Sequence, residues 1–354
     1  MDRFSADAYV YARASEILAK SFVGPRVAAL FEVRTLQELW ALLFTEDAPM
    51  LPEVLFARAL EVAAVNKFVR DYITLLSAYS KPGALITGLI RSFDYDNLKM
   101  MAAAAGNADS DLKPGQGIDP GRGPRYSLGQ GLQIIDISPY AMLNYTAWPD
   151  IARVTRGSPV SWYDRIPAPQ EQQALDERLD KQWTSDLWRA LQKSPKKDRE
   201  AVEDMVKRYI VETNILWAIR LKVYFEFSPE EILPRLAYSG DKIDPNDPLA
   251  REAARILDYP INSYAAWEKW RYAGMLNPHS SDVPWTIDPG WMSRSFRRNT
   301  QHTLIHIFHQ QPFTDAVLGA WFFIKRYELN CIRTVTESLR LNVGHQEARE
   351  FAGV

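Results

Sequence analysis

Along most of the chain, apolar residues recur with the three-to-four-residue spacing of amphipathic helices. In residues 8–22 one stripe carries Tyr11, Ser15, Leu18 and Phe22, and charged residues occupy the other positions. The same spacing predicts further helices in residues 36–44, 52–79, 84–105, 174–191 and 198–225. We therefore expect an all-α fold.

Two of the predicted helix starts carry recognisable capping signals. Thr35 precedes an apolar segment, and Glu38 occupies the third helical position, as in a capping box. Ser228 is followed by Pro229 and then by two acidic residues, which suit the positive end of a helix dipole. These signals support a mainly helical chain in which short turns separate the elements.

A recurring order of residue types suggests three copies of one helical unit. Basic, aromatic and acidic residues lie close to Asn97, Asn214 and Asn330, which follow one another at intervals of 117 and 116 residues. A proline precedes each asparagine; these prolines are Pro82, Pro195 and Pro312. Proline fits a turn or a first helical position, so each unit should consist of a helix, a turn and a helix that carries the asparagine. The predicted units are residues 1–115, 116–238 and 239–354, arranged about an axis.

An asparagine inside a helix costs about half a kcal/mol relative to alanine. Its recurrence at equal intervals therefore suggests that a buried hydrogen bond compensates for this cost. The alternative is that the three asparagines are unrelated surface residues.

Residues 106–131 differ from the rest of the chain because glycine and proline are too frequent there for a stable helix. We expect this segment to be a connector or an irregular excursion, and the boundary between the first two units should lie within it. Gly121–Arg125 could be mistaken for a phosphate loop. It lacks the GxxxxGK[ST] pattern, and no clear strand precedes it.

The composition excludes several classes of protein. Apolar residues make up 47% of the chain and charged residues 24%, which is typical of a globular protein, and the net charge of −2 gives no general basic field for nucleic acid. The single cysteine, Cys331, excludes an intramolecular disulfide and fits a reducing cytosol. The chain starts without the apolar core of a signal peptide. Its longest apolar run, residues 316–324, is too short to span a membrane.

The search for catalytic chemistry yields one constellation to weigh. His302, His306 and His309 share one helical face at a spacing compatible with a metal. The zincin pattern requires Glu after the first histidine, and Thr303 occupies that position. Nucleophile-elbow and dinucleotide-binding motifs are absent as well. We therefore expect no catalytic residues, no bound metal and no cofactor. A metal-dependent α-helical enzyme using the three histidines stays as a less favoured alternative.

Several motifs resemble those of one family, the C/AC39-type (in eukaryotes, d-type) component of the V-type and A-type rotary ATPases. The last of them is Gln311-Pro312-Phe313-Thr314, followed by an apolar helix and a polar stretch, Lys325 to Arg333. Asp94 to Lys99 is similar to the first-repeat motif of that family, and Glu212 to Arg220 with the following Phe227 to Ile232 is similar to the second. The opening Tyr9 to Arg13 also resembles the start of family members.

This resemblance implies a funnel of three similar helical domains with a central cavity. Such a protein would be a non-catalytic central-stalk subunit on the cytoplasmic side of the membrane. Its partners would be the rotor shaft (D/F-type subunits) and the membrane ring (c/K-type) of a proton or sodium machine, with no nucleic acid and no membrane insertion. Lys99, Arg220 and Arg333 are the candidate interface residues; ordinary solvated charge is the alternative for them. A helical scaffold of another complex is the alternative for the whole chain.

Overall fold

The computed structural model describes residues 2–107, 127–128 and 132–354. Within these ranges the regular secondary structure is helical apart from one pair of two-residue strands, and turns and loops connect the helices. The predicted all-α class is therefore confirmed. The α-helices are α1 Arg3–Lys20, α2 Leu36–Leu43, α3 Glu53–Leu76, α4 Ala84–Ile90, α5 Ser92–Asn107, α6 Ile151–Thr155, α7 Pro169–Gln192, α8 Lys196–Tyr224, α9 Pro229–Ile232, α10 Arg251–Arg255, α11 Tyr264–Trp267, α12 Pro289–Gln310, α13 Ala316–Arg340 and α14 His345–Ala352. Short 3₁₀ helices lie at Gly24–Phe31, Tyr145–Ala147, Leu233–Arg235 and Ala273–Met275. The antiparallel strands are β1 Ser127–Leu128 and β2 Leu132–Gln133.

The glycine- and proline-rich segment lies mostly outside the described residues. Residues 108–126 and 129–131 belong to that part, and so does the Gly121–Arg125 stretch considered for phosphate binding. The predicted connector and the first predicted domain boundary therefore stay predictions.

The chain divides into two compact units, one made of Met1–Pro82 with Ser194–Val354 and the other of Gly83–Lys193. The division into three similar units, and their arrangement as a funnel around a central cavity, stay predictions.

The capping residues begin their helices as the sequence predicts. Thr35 Oγ1 accepts from Glu38 N at 3.1 Å, and the Glu38 carboxylate accepts from the backbone N–H of Arg34 at 2.7 Å. At the start of α9, which is only four residues long, Ser228 and Glu231 make a fully reciprocal pair: Ser228 Oγ accepts from Glu231 N at 3.4 Å, and the Glu231 carboxylate accepts from Ser228 N at 2.8 Å. These bonds satisfy N–H groups that a first helical turn leaves without partners.

In the larger unit, α13 forms the centre of the core. Every residue from Thr314 to Lys325 is buried, so the longest apolar run of the chain, residues 316–324, lies in a part of α13 that is covered on nearly all sides. Trp321 and Phe322 are fully buried and pack on Phe68 of α3 with ring centroids 5.5 and 5.4 Å apart. Burial of such aromatic side chains is a major source of stabilisation.

A second core of the same unit holds the tryptophan-rich stretch. Trp267, Trp270 and Trp285 are buried together with residues of α8 and α12. The indole N–H of Trp267 donates to Pro260 O at 2.9 Å, which satisfies its polar atom. These tryptophans therefore fill a core.

In the smaller unit, α5 and α4 pack against α7. Trp183 Nε1 donates to the carbonyl of Gly88 at 3.1 Å, and Tyr95 donates to the Asp186 carboxylate at 2.7 Å. These bonds fix α7 against the preceding helices.

Candidate functional site: buried polar clamps and exposed charges

Asn97 binds both backbone polar groups of one distant residue. Its Nδ2 donates to Ile135 O at 2.8 Å, and its Oδ1 accepts from Ile135 N at 2.9 Å. Nδ2 also donates to the hydroxyl of Tyr145 at 2.8 Å. Asn97 is fully buried, so these bonds supply the compensation that the sequence predicted for an asparagine inside a helix.

Asp94 lies one turn before Asn97 and holds the same part of the chain. It accepts from Met142 N at 2.7 Å and from the hydroxyl of Tyr145. Burial raises the pKa of Asp94 to about 6, against the opposing effect of these hydrogen bonds. Asp94 and Asn97 together attach the segment after the strand pair to α5.

Asn214 makes the corresponding arrangement in the larger unit. Its Nδ2 donates to Ala237 O at 2.8 Å, and its Oδ1 accepts from Ala237 N at 2.8 Å. Nδ2 also donates to Leu249 O at 2.9 Å. The two asparagines therefore repeat one local device: a helical amide paired with both backbone groups of a residue in the segment that follows. We call each such device a clamp.

Asn330 does not make a clamp, because its side chain is exposed. The expectation of a buried hydrogen bond is wrong at this position. The buried charged side chains of α13 are instead Lys325 and Glu328, spaced three residues apart as Asp94 and Asn97 are. The Glu328 carboxylate accepts from Phe22 N at 2.5 Å.

Glu328 and Lys325 tie α13 to the segment after α1 by buried polar contacts that differ from the amide pairs of Asn97 and Asn214, and we call this arrangement the third clamp. Lys325 contributes its second contact. Its Nζ donates to Ser21 Oγ at 2.7 Å and forms an ion pair with Glu328. Both side chains of the ion pair are less than a tenth exposed. The third clamp therefore holds the segment after α1, which comes from the opposite end of the chain. The local sequence around Glu328 does not indicate this buried role, because its hydrogen-bond partner Phe22 is 306 residues away in the chain.

The three prolines precede helices, although their positions differ. Pro195 caps α8, Pro82 lies two residues before α4, and Pro312 lies in the turn before α13. Each occurs where a missing backbone N–H removes no helical hydrogen bond.

A charged cluster fixes the beginning of α1. Arg3 forms ion pairs with Asp7 at 3.1 Å, with Asp198 at 3.1 Å and with Asp315 at 2.8 Å. Tyr79 also donates to Asp7 at 2.8 Å. Burial and the neighbouring Asp198 raise the pKa of Asp315 to about 6. Three buried carboxylates thus share one half-exposed guanidinium.

A further buried carboxylate, Glu212, lies between α8 and α12. It accepts from the hydroxyl of Thr300 at 3.0 Å and is 9% exposed. Burial raises its pKa to about 7, although Arg208 and the hydrogen bond act in the opposite direction.

The three candidate interface cations are in different settings. Lys99 is partly buried and forms an ion pair with Asp180. Arg333 is exposed and lies 3.6 Å from the Glu61 carboxylate, and Arg220 is exposed near the end of α8. Arg220 and Arg333 are therefore accessible to a partner, whereas Lys99 is engaged within its own unit.

The three histidines lie on α12 and are all exposed. The Nδ1 atom of His309 is 3.1 Å from the hydroxyl of Tyr11, and the two rings meet edge to face. Within the described ranges, no group of three or more His, Cys, Asp or Glu side chains is placed to hold a metal ion. The arrangement accordingly gives no support to the alternative of a metal-dependent enzyme.

Cys331 is buried, and this burial raises its pKa to about 12. A thiol in this state is a poor nucleophile. None of the helices in the described part of the chain is both long and apolar enough to cross a membrane.

Comparison with known proteins shows the family to which the chain belongs. The chain is 28% identical over 353 residues to an uncharacterized protein of Treponema pallidum (strain Nichols), a match that covers 100% of this chain and 98% of the relative. The family model described as ATP synthase (C/AC39) subunit matches residues 25–351. This match covers most of the chain and includes all three clamp helices. The chain therefore belongs to the ATP synthase (C/AC39) subunit family.

Proposed function

We propose that this protein is the non-catalytic central-stalk subunit of a V/A-type rotary ATPase. In that role it is a socket that couples the rotor shaft (D/F-type subunits) to the ion-translocating membrane ring (c/K-type). The observation that carries this proposal is the family match over residues 25–351, which makes the chain a subunit of an ATPase.

The clamps support a mechanical role. A torque-transmitting part must deform little under load, and close-packed protein interiors have low compressibility. Asn97, Asn214 and Glu328 each tie an irregular segment to a long helix through buried hydrogen bonds. Irregular segments are otherwise the more mobile parts of a protein. The clamps therefore extend the rigidity of the helices into the connections between them.

The repetition of the clamps also supports the proposed arrangement of three similar lobes around a cavity. Two clamps bind a segment that follows their own helix, and the third binds the segment after α1. In a ring of three units built from one chain, the last unit must contact the first. The third clamp is a contact of this kind, because the last long helix holds the first connection.

The remaining features of the proposal follow from the same assignment. The protein would act from the cytoplasmic side of the membrane complex, without a cofactor, without nucleic acid and without inserting into the bilayer. Arg220 and Arg333 are the accessible cations proposed for contact with a partner. An interface of this kind is expected to rest on many moderate contacts with a polar rim.

The experiment is reconstitution with purified partners. The chain is mixed separately with the D/F-type shaft subunits and with the detergent-solubilised c/K-type ring of the same organism, and complex formation is followed by size-exclusion chromatography and calorimetry. A one-to-one complex with the shaft supports the proposal, and the absence of any complex with shaft or ring contradicts it. Arg220→Glu and Arg333→Glu should weaken binding at least fivefold if these cations contact a partner. Lys242→Glu, which also reverses an exposed cation, is the matched control and should leave binding unchanged.

A further inference from the structure

A cavity of about 250 Å³ opens beside the third clamp. It lies between α1, α3 and α13, and the end of α2 contributes to its wall. Lys325 and Glu328 are among its lining residues, so the buried ion pair described above borders the cavity. We call this cavity the α1–α13 pocket.

The walls of the α1–α13 pocket are largely apolar. Ile17, Leu42, Phe44, Phe68 and Ile332 are among the lining residues. Leu42 is 37% exposed, although it is a large apolar side chain. An occupant with an apolar body would bury this surface, and apolar burial contributes about 25 cal/mol per Å².

The charged lining groups have an excess of one positive charge among the described residues. The basic ones are Arg13, Lys20, Lys67 and Lys325, and the acidic ones are Glu16, Asp71 and Glu328. At the rim Glu16 pairs with both Arg13 and Lys20, and Lys67 lies 3.4 Å from Asp71. An anion at this rim would therefore meet a net attraction.

Lys325 is suited to receive an oxygen atom of such an occupant. An ammonium group has three N–H donors. The structure gives Lys325 two acceptors, Ser21 Oγ and the Glu328 carboxylate, and the ring of Trp321 lies 6.0 Å away. A ligand carboxylate would supply the third oxygen acceptor, and charge-assisted bonds of this kind are stronger than neutral ones.

The volume limits the size of the occupant. A water molecule takes about 30 Å³ of liquid, so the cavity corresponds to roughly eight to ten non-hydrogen atoms. An entire short-chain amphiphile fits this space, whereas a whole membrane lipid does not.

We propose that the α1–α13 pocket binds a small free amphipathic monocarboxylate, with its apolar chain along α2 and α3 and its carboxylate toward Lys325 and the basic rim. This binding would be additional to the proposed role in the ATPase, and all of the lining residues belong to the unit made of Met1–Pro82 and Ser194–Val354. Its occupancy would couple α1 to α13 at the point where the third clamp already joins them.

The test is a calorimetric titration of the full chain with octanoate, with octanol as the neutral probe of matched length. The proposal predicts saturable one-to-one binding of octanoate that is at least tenfold tighter than that of octanol. Equal binding of the two probes, or no saturable octanoate binding, would overturn it. Vesicles of phosphatidylcholine that contain oleate form the second arm. Binding to those vesicles without binding of free octanoate would overturn the assignment of a free ligand.

Two variants locate the site. Lys67→Glu reverses an exposed charge at the rim and should weaken octanoate binding at least fivefold. Lys81→Glu reverses an exposed lysine outside the pocket and should leave it unchanged. Equal effects of the two variants would contradict the location. Because Lys67 is half exposed, neither change should prevent folding, which circular dichroism would check.

Discussion

The carboxylate of Glu328 and the backbone N–H of Phe22 lie 2.5 Å apart, so the last long helix holds the first connection of the chain. Asn97 and Asn214 hold the connections after their own helices in a similar way. A polar group buried without a partner costs about 1–3 kcal/mol, so each clamp opposes release of the segment that it binds.

Replacement of Asn214 by alanine should destabilise the protein by about 3 kcal/mol, because Ala237 N–H and two carbonyls lose their buried partner. The midpoint of urea denaturation measures this effect. Asn330→Ala is the control, since Asn330 is exposed, and a surface substitution changes stability by about 0.5 kcal/mol or less. Equal losses in the two variants would contradict the distinction between Asn214 and Asn330.

The ion pair of Lys325 and Glu328 should show strong coupling in a double-mutant cycle. Lys325→Met or Glu328→Gln alone leaves an uncompensated buried group and should cost about 3–5 kcal/mol. The double variant should cost clearly less than the sum of the two. The exposed pair Lys20 and Glu16, changed in the same way, should couple by less than about 1 kcal/mol. Additive losses at Lys325 and Glu328 would show that the third clamp contributes no cooperative stability.

Glu212 should make the protein less stable as the pH rises. Its folded pKa of about 7 lies above its ordinary value of 4.5, so the folded state binds the proton more tightly than the unfolded state. The resulting stabilisation is complete below pH 4.5 and is lost as the pH rises through 7. Glu212→Gln should therefore stabilise the protein at about pH 8, by roughly 3 kcal/mol, and have little effect at about pH 4.5.

Thermal denaturation at about pH 4.5 and about pH 8, on either side of the folded pKa, measures this difference. Glu200→Gln is the control on the same helix because Glu200 is exposed, and its effect should not depend on pH in this way. A Glu212→Gln variant with the same pH profile as the natural protein would show that Glu212 does not titrate in this window.

Loss of Arg3 should release the beginning of α1. Arg3→Ala leaves Asp7, Asp198 and Asp315 without their shared cation. The pKa of Asp315 is already raised to about 6, so protonation relieves the repulsion at low pH and the penalty grows as the pH rises through 6. Hydrogen exchange in α1 should be faster in the variant, and more so at about pH 8 than at about pH 5.

Arg13→Ala is the control for this experiment because Arg13 is an exposed residue of the same helix. It should not accelerate exchange at the beginning of α1. Similar exchange in the two variants at both pH values would contradict the role given to the Arg3 cluster.

The sequence predicts those features that depend on neighbouring residues. The helices, the capping pairs of Thr35 and Ser228, and the buried run that begins α13 follow from periodicity and local hydrogen-bonding chemistry. The buried hydrogen bonds of Asn97 and Asn214 follow from the cost of asparagine inside a helix.

The features that the sequence did not predict depend on residues far apart in the chain. Equal spacing suggested Asn330, but the pattern contained no information about which face of α13 turns inward at that point. Glu328 and Arg3 look like ordinary surface charges until folding brings Phe22 and Asp315 beside them. Such partners are fixed by tertiary packing rather than by the local pattern.

The most direct test of the proposed socket role is affinity purification of the tagged full-length chain from detergent-solubilised membranes, with mass spectrometry of the bound proteins. The account predicts that D/F-type shaft subunits and the ring protein are recovered with the chain in stoichiometric amounts. Recovery of the chain without any other rotary ATPase component, under conditions that keep the complex assembled, would contradict it.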